Sequence, residues 1–261
     1  MKKFLTVILF SLLLFPIPLI SGCGGEQSAR KIVIGIDDDF APISFYNEKN
    51  ELVGFDIDLA KEACERMGVA VEFKSIDWSK KREEIFSGNI DLIWNGLDVV
   101  DERKEYMIFT RPYMDDRQIF LVKKGNDLDI HSEGDLEGKI VGAQAGSTSE
   151  IYLNENEKLK NTLKEFKSYL RFKDGINSLK NKDIDVFVCD ELVARYEMNT
   201  NPDQLEIVDV KTGYVTEVGI GFPKENAELR DQVQTVFDEM IKDGTAKKIS
   251  EKWFDADLIK Q

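Results

Sequence analysis

The chain runs through one alternation twice: a short apolar run, then a stretch with helical spacing, then another apolar run. Lys31–Ile36 reads as a buried strand. Asp56 to Met67 carries apolar residues at 57, 59, 60, 63, 64 and 67, the spacing of an amphipathic helix, with Gly68 as its stop. Val71–Ile76 follows as a strand, Ser79–Ser87 as a short helix ended by Gly88, and Ile90–Trp94 and Gln118–Val122 as strands. After a polar loop, 123–138, the pattern restarts with strand Lys139–Ala143 and a Gly146-Ser147-Thr148-Ser149 turn into a helix. Helix Phe172–Lys180, strand Ile184–Val188 and helix Glu191–Met198 come next. Strands Leu205–Val210 and Val218–Phe222, helix Ala227–Lys242 and a last helix bearing Trp253-Phe254 complete the pattern. Such alternation specifies an α/β fold. Its recurrence without a Pro-rich or Ser-rich linker points to two packed lobes, which 261 residues are enough to fill.

Charge narrows the partners. With 35 basic and 49 acidic residues the net charge is −14, which argues against nucleic acid, whose phosphates need Lys and Arg. It also argues against adhesion of the folded body to anionic lipid. The N-terminus reads as an export signal: Lys2-Lys3, then an apolar stretch from Phe4 to Ile20 interrupted by Pro16 and Pro18. It ends in Leu19-Ile20-Ser21-Gly22-Cys23, a match to the bacterial lipobox, whose cysteine is lipidated after cleavage. Residues 1–22 are therefore expected to be removed, and 23–30 to tether the body to a membrane through Cys23, on the outer face of the cell membrane or a periplasmic membrane face. Cys64 and Cys189 sit in apolar patterns and read as buried thiols. The single histidine, His131, lies in a polar loop, and no Cys/His metal spacing exists. No metal, cofactor or catalytic residue is expected.

Several strand ends carry candidate binding groups. An apolar strand stops at Asn95-Gly96, and Arg103 follows in a helical turn opened by Asp101. A strand-end glycine with a nearby guanidinium fork suits a small carboxylate. Asp37 and Phe40 follow the first strand, where ligands of α/β proteins bind. Trp78 follows another; it is either core or an aromatic face for a cation. Gln144-Ala145-Gly146-Ser147-Thr148 runs from a strand end into a helix whose free N–H groups attract anions, although Ser147 and Thr148 also read as caps. Asp190 lies between a strand and a helix, as an N-cap or a cation partner.

Residues 96–103, Gly-Leu-Asp-Val-Val-Asp-Glu-Arg, resemble the G-[LIF]-[TS]-x-[TS]-x-E-R segment of the bacterial extracellular solute-binding proteins of family 3, which deliver amino acids to ABC transporters. Gly96 and Arg103 match, whereas two hydroxyl positions have become Asp98 and Val100. The Gln144–Thr148 segment and the hallmark Gly54–Leu59, in which Asp56 is expected to cap a helix, carry the resemblance across nearly the whole mature chain.

The resemblance implies a type II periplasmic-binding-protein (Venus-flytrap) fold, each lobe a mixed sheet flanked by helices. The chain would cross twice between lobes, near Tyr113–Gln118 and Gly213–Val218, giving lobe 1 as 31–114 plus 217–261 and lobe 2 as 115–216. It implies that Arg103 and the Thr148 backbone clamp the carboxylate of an amino acid. Asp190 and Gly96, with Asp98, would hold its ammonium, while Phe40 and Trp78 enclose its side chain. Asp37, Asn95, Leu97, Gln144 and Ser147 complete the implied set. Asp37 and Asp98 together favour a polar or cationic ligand. The implied function is the substrate-binding subunit of an amino-acid ABC importer, a monomer that closes on its ligand and docks on a permease with its ATPase. The alternatives are a cyclohexadienyl-dehydratase-like enzyme on the same fold, with Asp37 or Asp98 as its acid, and an amino-acid sensor.

Overall fold

The computed structural model describes residues 31–208 and 214–261. The expected signal segment, Cys23 and its tether, and Gly213 lie outside the described residues.

Two sheets organise the molecule. The first orders strands Ala70–Ser75, Lys31–Ile36, Leu92–Ile93, Gly221–Pro223 and Met107–Phe109. Its first three members run parallel, and Gly221–Pro223 is antiparallel to both neighbours. The second orders Glu165–Tyr169, Ile140–Gln144, Val186–Asp190, Met114–Lys123 and Leu205–Val208, and Val215–Val218 pairs with the start of Met114–Lys123. Each sheet is covered by helices. Helix Phe55–Arg66 buries Ile57, Leu59, Ala60, Ala63 and Cys64 against the first sheet, beside helices Ala227–Lys242 and Thr245–Phe254. Helices Thr148–Glu155, Phe172–Asn181 and Glu191–Thr200 pack on the second. The fold is two-lobed α/β.

Two chain passages join the sheets and lie side by side. Met114–Lys123 leaves the first lobe, and Val215–Val218 runs antiparallel to it, with Val215 opposite Arg117 and Val218 opposite Met114. The expected single strand Val218–Phe222 is two strands. The chain leaves one sheet at Val218 and enters the other at Gly221, and the residues between belong to neither ladder. A small three-stranded antiparallel sheet of Asp39–Phe40, Ser44–Tyr46 and Leu52–Val53 was not anticipated, nor were strands Met107–Phe109 and Glu165–Tyr169. The loop 123–138 contains one 3₁₀ turn, Glu133–Leu136, closed by a Ser132–Asp135 capping box. Cys64 and Cys189 are free and buried.

Asp56 does not cap its helix. The N-cap is Gly54, whose φ of 147° only glycine adopts freely, and no side-chain cap bond is made. Asp56 is the second residue of the helix, within its first turn. It accepts the Gly96 N–H at 2.6 Å and the Tyr113 hydroxyl at 2.8 Å. The hallmark acid therefore fixes the backbone turn at Gly96.

Candidate ligand-binding site

The ends of strands from both sheets meet across a cleft. There, Asp37, Phe40, Trp78, Asn95, Gly96, Asp98, Arg103, Gln144, Ser147, Thr148 and Asp190 line one cavity. These are eleven of the twelve positions expected from the sequence. The twelfth, Leu97, does not line this cavity. Its side chain is wholly buried among Ile93, Tyr106 and Met107, facing away from the cavity, and its carbonyl accepts the Gly219 N–H. The left-handed turn at Gly96 breaks the strand there, and past it Leu97 packs into the core while Asp98 lines the cavity.

Each wall has a local cause. Gly96 holds φ +54°, and an added Cβ would lie 3.3 Å from the Phe40 ring. Phe40 is held edge-on to Phe172 at 5.5 Å between centroids. Trp78 opens a 3₁₀ turn whose N-cap, Asp77, accepts the Ser79 N–H. Ser147 caps helix Thr148–Glu155 by accepting the Glu150 N–H at 3.2 Å, which leaves the first N–H groups of the helix directed at the cavity.

Arg103 is 1% exposed and makes no ion pair within 4.0 Å among the described residues. Its Nη1 donates to the Asp98 carbonyl at 2.9 Å and its Nη2 to the Gly146 carbonyl at 3.3 Å. Its Nε, and the Nδ2 of Asn95, are buried without a partner among the described residues. Buried donors left unpaired are costly, so these point to an acceptor that the protein itself does not supply.

Three acids line the same cavity. Burial pushes the Asp37 carboxyl up to about 6, although Gln144 Nε2 donates to it at 2.6 Å and the Asp39 N–H at 3.0 Å. Asp190 is pushed up to about 7, first by burial and then by the charge of Asp98. Asp98 itself is raised by burial against the pull of Arg103 and the hydroxyls of Thr148 and Thr216. The Asp98 carboxylate accepts the Thr216 hydroxyl at 2.7 Å, and its backbone carbonyl accepts from the guanidinium.

The cleft is shut by direct bonds between the lobes. Gln144 reaches Asp37, Arg103 reaches Gly146, and Lys81 Nζ donates to the Gly146 carbonyl at 2.6 Å. At the rim, Lys173 Nζ lies 2.9 Å from Asp39 and Arg171 Nη2 3.3 Å from Asp38.

Comparison with known proteins accords with this geometry. The profile of the bacterial extracellular solute-binding proteins, family 3, matches residues 32–256. This chain belongs to that family. It is 30% identical to the L-cystine-binding protein TcyJ of Escherichia coli strain K12, over 88% of this chain and 84% of that protein. Among solved structures it is similar to an ABC uptake transporter substrate-binding protein from Streptococcus pneumoniae with bound histidine (TM-score 0.83, 34% identity, covering 88% of this chain and 95% of that one). It is also similar to an ancestral arginine-binding protein bound to arginine (TM-score 0.80, 39% identity, covering 86% and 98%). These relatives of the solute-binding protein are binding proteins rather than enzymes.

Sequence reasoning missed four residues that shape the site. Asp116 and Gln118 lie on the joining strand, where Gln118 Nε2 donates to Asp116 at 3.2 Å and also to Asp190. Thr216, on the other passage, donates to Asp98. Lys81 is buried under Trp78, 5.2 Å from its ring centroid. A signal for two of them existed: residues 114, 116 and 118 are buried while 115 and 117 are exposed. A period-two reading therefore turns Asp116 and Gln118 inward.

Proposed function

We propose that this protein captures a free amino acid in the cleft between its lobes and delivers it to an ABC permease and its ATPase. The observation that carries this is the pairing of a buried Arg103, without an ion pair among the described residues, with the carboxylates of Asp98 and Asp190 in one cavity. A zwitterion complements both at once. In this reading Arg103 and the Thr148 backbone hold the carboxylate, Asp190 and Gly96 the ammonium, and Phe40 and Trp78 the side chain. The similarity to histidine-, arginine- and cystine-binding proteins supports an amino-acid ligand. The raised Asp37 beside two aromatic rings supports one with a polar or cationic side chain. The lobes are 31–114 with 217–261, and 115–216, hinged at the paired passages, and the protein works as a monomer that catalyses no reaction.

The test is calorimetric titration of residues 26–261, unfolded and refolded to strip carried ligand, against the twenty amino acids. Micromolar affinity, about −8 kcal/mol, for one L-amino acid is expected. Absence of binding to all of them refutes the proposal, and turnover of a cyclohexadienyl acid would replace it with the enzyme. The lipobox ending at Cys23 supports anchoring to the outer face of the cell membrane. Palmitate labelling that is lost in Cys23→Ala tests it.

A further inference from the structure

Three carboxylates converge where the lobes and the joining strand meet. Asp98 comes from the first lobe, Asp190 from the second and Asp116 from strand Met114–Lys123, and an oxygen of each lies within 4.8 Å of the others. Asp98 and Asp190 line the ligand cavity, whereas Asp116 lies behind them, reaching the groove on the hinge side with Arg117, Glu191 and Arg195. Asp116 and Asp190 are in hydrogen-bond contact. Two carboxyl oxygens in such contact need a proton between them. Gln118 donates to both, and Thr216 and Thr148 donate to Asp98. Of the other titratable or charged neighbours, Arg103 acts on Asp98 and Asp190, Tyr113 and Tyr214 sense Asp98, and Cys189 senses Asp116 and Asp190. One guanidinium against three acids leaves the closed cluster short of positive charge. The unpartnered Arg103 Nε and Asn95 Nδ2 in the same cavity mark this as a place where a ligand docks.

We propose that Asp98, Asp116 and Asp190 hold a shared proton while the cavity is empty and release it to solvent when the ligand's ammonium takes its place. Ligand capture and lobe closure are then linked to proton release, and Asp116 acts as a positioning residue through Asp190. This rests on the amino-acid reading above. The cause is like-charge repulsion. Asp116 and Asp190 are in contact within the second lobe and its joining strand, so their proton is held before the lobes close, and three anions this close in a buried site cannot all ionise without a cation or proton among them. All three carboxyls are raised, Asp116 well above the usual carboxylate range. A cation favours their ionised forms, so affinity increases as pH rises.

The experiment is calorimetric titration with L-arginine, or L-glutamine if arginine does not bind, in buffers of differing ionisation enthalpy between pH 5.5 and 7.5. Neither ligand titrates in that range. Release of about one proton, and a Kd that tightens about tenfold per pH unit, is expected for the unsubstituted protein. Asp98→Asn and Asp116→Asn should each flatten that slope, whereas Asp101→Asn, at an exposed carboxylate outside the cavity, should not. Binding without proton release overturns the proposal and leaves the amino-acid reading standing. A slope that survives in both cluster variants also overturns it. Failure of both ligands and every other amino acid to bind overturns both.

Discussion

Lys81 Nζ donates to the Gly146 carbonyl at 2.6 Å, so that a buried ammonium of one lobe is held by the backbone of the other. Burial and then the charge of Arg103 lower this lysine to about 7. Gly146 receives it because nothing larger fits. Its φ is +72°, and an added Cβ would meet Ser79 Cα at 2.8 Å and the Trp78 carbonyl at 3.0 Å, both in the opposite lobe.

Gly146→Ala should therefore block closure. An alanine in the left-handed region costs about 1–2 kcal/mol of stability, and the clash with Ser79 adds a cost only when the lobes are shut. The expected result is a small fall in Tm without ligand and a far larger loss of ligand affinity, read by calorimetry beside thermal melts. Equal losses in the two would disprove a closure-specific role.

Arg103→Ala removes the cavity's guanidinium. Loss of charge-assisted bonds should weaken ligand binding by about 1.5–3 kcal/mol. Arg103→Lys should recover little, because a point ammonium does not reproduce the planar fork. Titration calorimetry checks both, and unchanged affinity in the alanine variant removes Arg103 from the site.

Asp56→Ala leaves the Gly96 N–H and the Tyr113 hydroxyl without their buried acceptor. A destabilisation of about 2–4 kcal/mol is expected, measured by urea unfolding. Asp56→Asn should recover part of it, since the amide keeps one acceptor oxygen. A loss below about 0.5 kcal/mol in Asp56→Ala would mean that the Gly96 turn stands without this carboxylate.

The unliganded protein should lose stability from pH 5 to pH 7. Burial raises Asp37 to about 6 and Asp56 to about 7, so the folded chain keeps protons that the unfolded chain has already released. Stability then falls with rising pH through that window. Lys81 has the opposite sign and acts only above about 7, where its unfolded form holds the extra proton. Scanning calorimetry at pH 5, 6 and 7 tests this, and a Tm that rises across the series contradicts it.

Much of the cavity's lining was legible because strand ends announce themselves. Asn95-Gly96, Gln144 and Asp190 each stand where an apolar run breaks into polar residues, and α/β proteins bind ligands at such breaks. Leu97 was expected in that lining because family position gave the segment, whereas only the fold turns it into the core. Asp116 and Gln118 were missed because the strand was started at Gln118, which hid the alternation that turns residue 116 inward.

What the sequence determined is local and periodic: the two rounds of strand and helix, the helix over 227–242, the buried thiols, and the residue types at each strand end. Spacing along one chain specifies such features because neighbouring residues share one backbone geometry. What only the tertiary structure decided is which distant groups face one another. Residues 98, 116 and 190 lie far apart in sequence, and their carboxylates form a cluster only after two passages of the chain pair side by side and bring both sheets to a common cleft. Asp56 likewise has the sequence of a cap and, once packed against Tyr113, the work of a turn anchor. Desolvation and charge proximity are properties of that arrangement, so the protonation of the site is written in the fold.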